Sequence, residues 1–232
     1  MNQNFAAIIL GGTGQVGGAA VAELLAIPEC REVVIVTRKP IAARSRVRNI
    51  VLDTGAADFA ERTAALAREA LSQGPVSAVS CVGVGSGSRR WSEEKLKRLE
   101  LGVVGAFARG CHYAGIAQFC LLSAVGSTAR SRFRYVRVMG MKEDTVRNIG
   151  FTRLAIFRPG IIVGNAHTPA WGRFVGKPRA WAVRQYRSAN SRSLNRRRDS
   201  FAQSRGRRSY PRKYRNEKTR YTVQSRDFGI ST

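Results

Sequence analysis

Histidine and metal-type cysteine patterns are what this chain most clearly lacks. It has two histidines, His112 and His167, and four cysteines, Cys30, Cys81, Cys111 and Cys120, with no CxxC or similar spacing. That argues against a structural zinc site, and no metal is expected. The cysteines read as buried apolar thiols in a reducing compartment. A long uninterrupted apolar run is also missing. The best candidate, Phe5 to Ile27, is broken by glycines and carries Gln15 and Glu23, so no membrane span is expected. No positive charge precedes it, unlike a secretory signal, and a cytoplasmic protein is the expectation.

Acidic residues are the third scarcity. Fifteen Asp and Glu stand against 40 Lys and Arg, giving +25 over 232 residues. The imbalance is local. Residues 1–170 hold 22 basic and 12 acidic side chains, whereas residues 171–232 hold 18 and 3. The two parts therefore need separate readings. With 44% hydrophobic residues, the chain can fill one medium core but is short for two full domains.

Residues 1–170 alternate short apolar runs with helical patterns. Strand-like runs are Phe5–Leu10, Val33–Thr37, Asn49–Leu52, Ala78–Val82, Gln118–Ser123 and Leu154–Phe157. Most lack polar alternation, as strands covered on both faces do. Helical spacing runs through Gly17–Ile27, Phe59–Leu71, Ser92–Ala114 and Arg134–Asn148. The pattern predicts an α/β fold, a doubly wound parallel sheet of Rossmann type with its functional loops at the carboxyl ends of the strands. From about Trp171 the periodicity ends and Arg, Ser, Gly, Asn and Tyr dominate. Such a stretch buries too little to offset chain entropy, so 171–232 reads as a disordered basic tail.

After the first strand comes GGTGQVGG, residues 11–18. Gly12, Gly14 and Gly17 fit the GxGxxG dinucleotide fingerprint, and Gly11, Gly14 and Gly17 its GxxGxxG variant: one glycine for the tight turn, one for close approach of backbone N–H groups to a pyrophosphate, one for helix–strand packing. The following helix aims its positive end at the phosphates. Gly11, Thr13, Gly14, Gln15, Val16 and Gly17 are therefore the candidate cofactor cradle. The second strand ends in Thr37-Arg38-Lys39 without a carboxylate. Arg38 suits a 2′-phosphate through a forked contact, which favours NADP(H) over NAD(H). Asp53 follows the third strand, either within reach of an adenine amino group or capping its own turn. Cys81, Val82 and Gly83 end the fourth strand, where small residues let backbone pass close to a cofactor ribose or simply pack closely.

Ser123 closes the fifth strand within LLSAVGS, and Tyr135 stands twelve residues on, at the start of a predicted helix. A serine and a tyrosine so placed can bind a substrate carbonyl, with tyrosine as proton donor. At this point GGTGQVG, Thr37-Arg38, LLSAVGS, FRYVRVMG and IFRPG stand in the order seen in atypical short-chain dehydrogenases/reductases. Over about residues 5–165 the chain resembles that family, above all the Tat-interacting-protein-like group and its bacterial NAD(P)-binding relatives. The resemblance implies a Rossmann fold with NADP(H) on the strand ends and a small-molecule carbonyl or alcohol as partner. It also implies Ser123 and Tyr135 at the nicotinamide end, and Arg158 and Pro159 lining the same pocket. One position departs. The family's tyrosine is followed four residues later by lysine, and here that residue is Met139. Methionine neither holds a ribose nor lowers a phenol pKa. Lys142 shares Tyr135's helix face but lies roughly 10 Å along the axis, and Arg137 points elsewhere. Weak or absent oxidoreductase activity is expected.

Three readings of the tail stay open. Arg196–Arg198, Arg205-Gly206-Arg207-Arg208 and Arg212-Lys213-Tyr214-Arg215, with Tyr186, Tyr210, Tyr214 and Tyr221, suit nonspecific nucleic-acid binding through phosphates and stacking. A solvated extension is the second reading. A reading-frame change is the third, since the resemblance breaks off near Trp171.

Overall fold

The computed structural model describes residues 4–84, 88, 90–160 and 162. They belong to one unit, and a second, Val163–Phe228, lies outside the described residues. The expected tail and the boundary at 170 fall there too. Six strands, β1 (Phe5–Leu10), β2 (Cys30–Thr37), β3 (Val47–Val51), β4 (Val76–Ser80), β5 (Gln118–Leu122) and β6 (Arg153–Phe157), form one sheet in the order β3-β2-β1-β4-β5-β6. Every pairing is parallel. The helices are α1 (Gln15–Ala26), α2 (Phe59–Ser72), α3 (Glu93–Lys97), α4 (Val104–Tyr113) and α5 (Arg134–Arg147), with a π-helical stretch, Arg98–Val103, joining α3 to α4. This is the expected Rossmann architecture.

The absence of polar alternation in β1 has a direct cause. Ala6, Ile8 and Leu10 pack into one layer with Phe59, Leu66, Phe107 and Phe119, while Ala7 and Ile9 pack on the other face with Val21, Val33 and Ile35. The strand is thus covered by α2 and α4 on one side and α1 on the other. Each fully buried large side chain contributes about 1.5–3 kcal/mol. At the far edge β6 is thinly covered, and Phe157 remains 44% exposed.

The boundaries differ from the sequence expectation where the tertiary structure intervenes. β2 starts at Cys30 instead of Val33, because Cys30 pairs with Phe5 across a register shift. β4 spans Val76–Ser80 instead of Ala78–Val82, since the chain then turns at Cys81 and Val82 to pass against Gly11. α1 begins at Gln15, two residues before the expected start, with Gly14 as its extended N-cap. The single helix expected over Ser92–Ala114 is interrupted by the π stretch. Arg46, the one described non-glycine residue with positive φ (57°), sends its guanidinium to the carbonyls of Leu25, Ile27 and Cys30. It thereby satisfies carbonyls at the carboxyl end of α1.

In this strand order β1 has β2 on one side and β4 on the other, so the crossover direction reverses at β1. Such a reversal opens a crevice beyond the carboxyl ends of β1 and β4, where α/β proteins bind ligands.

Candidate functional site

The glycine turn occupies that crevice. Gly11 has φ +84°, and a Cβ there would lie 2.9 Å from the Cys81 carbonyl carbon and from Val82 N. The β1 turn and the end of β4 are therefore in backbone contact, which only glycine allows. A Cβ on Gly17 would lie 2.1 Å from the Gly11 oxygen, so α1 can approach the turn only with glycine at this position. Gly14 N donates to Gly11 O at 3.1 Å and closes the turn. The amino end of α1 has no side-chain cap and no acidic residue in its first turn. Thr13, Gly14 and Gln15 are exposed and Val16 half-buried. A bare helix amino end above a glycine cradle fits a pyrophosphate in charge and in clearance.

Beside it, the β2 end is shaped by Asn49. Its Nδ2 donates to Ile35 O (3.1 Å) and Thr37 Oγ1 (2.7 Å), and its Oδ1 accepts from Ile41 N (3.0 Å). Thr37 Oγ1 in turn donates to Lys39 O at 2.7 Å. This mesh holds the 37–41 loop and leaves Arg38 and Lys39 exposed. No carboxylate bonds Arg38 among the described residues, so its guanidinium is available to an anion. Asp53 is exposed, and its Oδ1 accepts from Gly55 N at 2.8 Å, so it caps its own turn. Cys81 and Val82 are half-buried and Gly83 is exposed. Burial pushes the Cys81 thiol up to about 11, against the opposing charge of Lys142. Burial likewise raises Cys120, to about 12, and Cys111.

Ser123 is 4% exposed at the end of β5. Its hydroxyl donates to Glu143 Oε1 and lies 3.2 Å from Ser127 Oγ. Glu143, on α5 and 1% exposed, also receives Arg158 Nε at 2.8 Å, Arg158 Nη2, and Arg147 Nη2 at 2.9 Å. Burial pushes the Glu143 carboxyl upward. The hydrogen bonds from Arg158 and Ser123, the Arg158 charge and the Arg147 bond outweigh it and hold the group below its ordinary value. Val125 N donates to Pro159 O at 3.0 Å, so the loops after β5 and β6 meet here. The structure thus brings Ser123, Arg158 and Pro159 together around a carboxylate that no motif announced.

Tyr135 lies in the first turn of α5, half-buried. Burial, reinforced by the negative charge of Glu100, pushes its hydroxyl up to about 12. Among the described residues it does not hydrogen-bond Ser123. Met139 is 2% exposed, an apolar plug one turn along. Lys142 is fully buried, and its Nζ donates to Glu100 Oε2 at 2.8 Å. It is spent in that pair.

Sequence reasoning missed Glu143, Glu100 and Asn49. Glu100 carried a faint signal, a lone acid followed by the apolar run LGVVGAFA. Glu143 stands four residues after Met139, on a face of α5 that otherwise reads as apolar or basic. Asn49 left no signal, because its role depends on the neighbouring strand. His112, Cys81, Cys111 and Cys120 form no metal-ligating group among the described residues. No described helix is long and apolar enough to cross a membrane.

No family model matches the chain. It is similar to the protein named fmp52, mitochondrial, of Aspergillus clavatus, 32% identical over 156 residues, covering 67% of this chain and 66% of that protein. The namesake of Aspergillus fumigatus is 31% identical with the same coverage. The chain therefore spans just under two thirds of the length of these relatives. Their names overturn the expectation of a cytoplasmic protein, which rested only on lacking a membrane run and a secretory pattern. Among solved structures the chain is similar to the oxidoreductase ylbE of Lactococcus lactis (TM-score 0.56, 16% identity, 70% of this chain and 73% of that one). It is also similar to the Bordetella bronchiseptica enzyme WbmH, solved with NAD+ (TM-score 0.55, 13% identity, 71% and 59%). These likenesses show the Rossmann fold.

Proposed function

We propose that the chain is an NADP(H)-binding protein of the atypical short-chain dehydrogenase/reductase type, related to the Tat-interacting-protein-like group, with attenuated oxidoreductase activity and a mitochondrial location. The observation that carries the binding half is the contact of Gly11 with Cys81 and Val82 at the reversal of the sheet, beneath an uncapped helix amino end. Main-chain N–H groups of residues 13–17 would hold the pyrophosphate. Arg38, with Lys39 beside it, would take the 2′-phosphate as a charge-assisted fork. The nicotinamide, when bound, supplies or accepts a hydride. The mitochondrial location is supported by the names of the two Aspergillus relatives.

The attenuation follows from this chain's own residues. A proton donor works best with a pKa near the working pH, and Tyr135 sits at about 12. Met139 supplies no positive charge to lower it. Ser123, the expected second hydrogen-bond donor to a carbonyl, directs its proton to Glu143. Arg158 is turned to the same carboxylate and orients the loop after β6.

Calorimetric titration of the chain with NADPH and NADH tests this reading. Tighter binding of NADPH, lost in Arg38→Ala, is expected. Binding of neither coenzyme would refute it. A second reading, nucleic-acid binding through the tail, is favoured by the 18 basic against 3 acidic residues of 171–232. It predicts salt-sensitive binding that a chain ending at Ile162 loses.

A further inference from the structure

The loop 38–46 joins β2 to β3, carries Arg38, and is exposed along its length apart from half-buried Ile41. Such a loop is costly to hold still, because each ordered residue gives up backbone entropy. Its first residues are nevertheless bracketed by one strand side chain. Asn49, at the centre of β3, reaches both ends of the 37–41 turn. Its Nδ2 donates to Thr37 Oγ1 at 2.7 Å and to Ile35 O at 3.1 Å, and its Oδ1 accepts from Ile41 N at 3.0 Å. Thr37 Oγ1 donates in turn to Lys39 O at 2.7 Å, a bond that spans Arg38. Thr37 O accepts from Leu52 N at 2.9 Å, so the strand end is itself tied to the segment after β3. Within the turn, Pro40 fixes its own φ and restricts Lys39. Ile41 packs into the layer of Val33 and Ile35.

These bonds work in one orientation only. Turned over, the Asn49 amide would set an oxygen against Ile35 O and an NH2 against Ile41 N. The Thr37 hydroxyl accepts from Asn49 on one side and donates to Lys39 O on the other. Asparagine is depleted in strands, and an apolar side chain would suit a half-buried strand position. Here the amide satisfies a main-chain carbonyl, a main-chain N–H and a hydroxyl at once, on the two sides of Arg38.

We propose that Asn49 is the positioning residue for coenzyme discrimination: by clamping both ends of the 37–41 turn, it presents Arg38 ready-placed to a 2′-phosphate. Asn49 acts through Thr37 and through the backbone on either side of Arg38. The guanidinium supplies the attraction, and the clamp removes an ordering cost that binding would otherwise bear. The inference rests on the reading of Arg38 as the 2′-phosphate contact and deepens it by naming what holds that residue. The pyrophosphate cradle belongs to the turn after β1, so the clamp bears on NADPH and not on NADH.

The test is calorimetric titration of the full chain with NADPH and NADH, with circular dichroism to report folding. In Asn49→Ala the NADPH affinity should fall about 3–10-fold, the cost of ordering the turn and a long side chain on binding, while NADH affinity holds within about twofold. Thr37→Val removes the hydroxyl between Asn49 and Lys39 O and should act in the same way. Thr37→Ser keeps that hydroxyl and should bind as the unaltered chain does. The double variant Asn49→Ala/Arg38→Ala should bind NADPH no worse than Arg38→Ala alone, because the clamp then has nothing to position. A merely structural role for Asn49 would lower both affinities together and add to the loss in Arg38→Ala. Equal losses for the two coenzymes in folded Asn49→Ala overturn the proposal, as do additive losses in the double variant. If Asn49→Ala does not fold, Thr37→Val decides: a reduced preference for NADPH supports the clamp and an unchanged one refutes it. A chain that binds NADPH no better than NADH overturns the Arg38 reading and the clamp together. A preference that Arg38→Ala removes and Asn49→Ala leaves intact overturns the clamp alone.

Discussion

Glu143→Gln is the substitution whose consequences can be worked furthest. The side chain is 1% exposed and receives four donors, from Ser123, Arg147 and twice from Arg158. Glutamine keeps the volume but offers one acceptor oxygen and turns an NH2 toward a guanidinium fork. The Arg147 side chain is 45% exposed, so its share is small. The Arg158 side chain is 27% exposed and regains only part of its solvation. Hydrogen bonds to charged groups contribute about 1.5–3 kcal/mol each. Losing the fork and disordering the Ser123 bond should therefore cost about 3 kcal/mol. For a domain of this size each kcal/mol moves Tm by about 2–4 °C, so a fall of about 6–12 °C is expected at neutral pH. The sign of the pH dependence follows from the depressed carboxyl. Its contribution is fully present above the ordinary carboxylate range and fades as pH falls through the lowered folded value. The gap between variant and unaltered protein should close on acidification. Thermal melting followed by circular dichroism at several pH values measures both. An unchanged Tm at pH 7, or a gap that widens in acid, would refute the account of this cluster.

Other substitutions test the remaining pieces. Arg38→Ala should weaken NADPH binding about 10–100-fold, the loss of one charge-assisted contact, and leave NADH unchanged; equal losses for both coenzymes would remove Arg38 from the 2′-phosphate. Gly17→Ala forces a Cβ to 2.1 Å from the Gly11 oxygen. It should abolish coenzyme binding and destabilise the fold by about 1–3 kcal/mol, as overpacking does; wild-type affinity in a calorimeter would contradict the cradle. Met139→Lys should raise turnover with a carbonyl substrate by about 10²-fold or more; unchanged turnover in a folded variant that still binds coenzyme would contradict the account of the missing charge. Glu93 is held near 2 by hydrogen bonds from Arg137 and then Lys97. The link between α3 and α5 should therefore be intact above about pH 4.5 and lost as pH falls toward about 2; an α3 protection factor, with exchange corrected for the intrinsic pH dependence of amides, that stays constant over that range would disprove it.

Much of the fold was legible because it depends on local patterning. Short apolar runs without polar alternation, bounded by turn residues, fit strands covered on both faces. Their alternation with helical spacing leaves few topologies once crossovers are right-handed. The glycine turn was legible for the same reason, since close backbone approach admits no other residue. Element ends were less so. β4 stops at Ser80 because Cys81 must turn past Gly11, a constraint carried by a residue seventy positions away. Asp53, open in the sequence between adenine binding and turn capping, accepts from Gly55 N through one oxygen and stays exposed, a detail its spacing did not carry.

What the sequence by itself determined is the sheet, its order of elements, the glycine turn after β1, and Met139 standing where the resembled family has lysine. All of these follow from the period and identity of residues near one another in the chain. Only the tertiary structure decided where the charges go. It placed Glu143 against Ser123 and Arg158, and Lys142 against Glu100 across 42 residues. Charge pairing inside a core depends on which helix faces meet, and the strength of each pair depends on how much water the packing removes. Neither quantity is written in the spacing of residues along one helix.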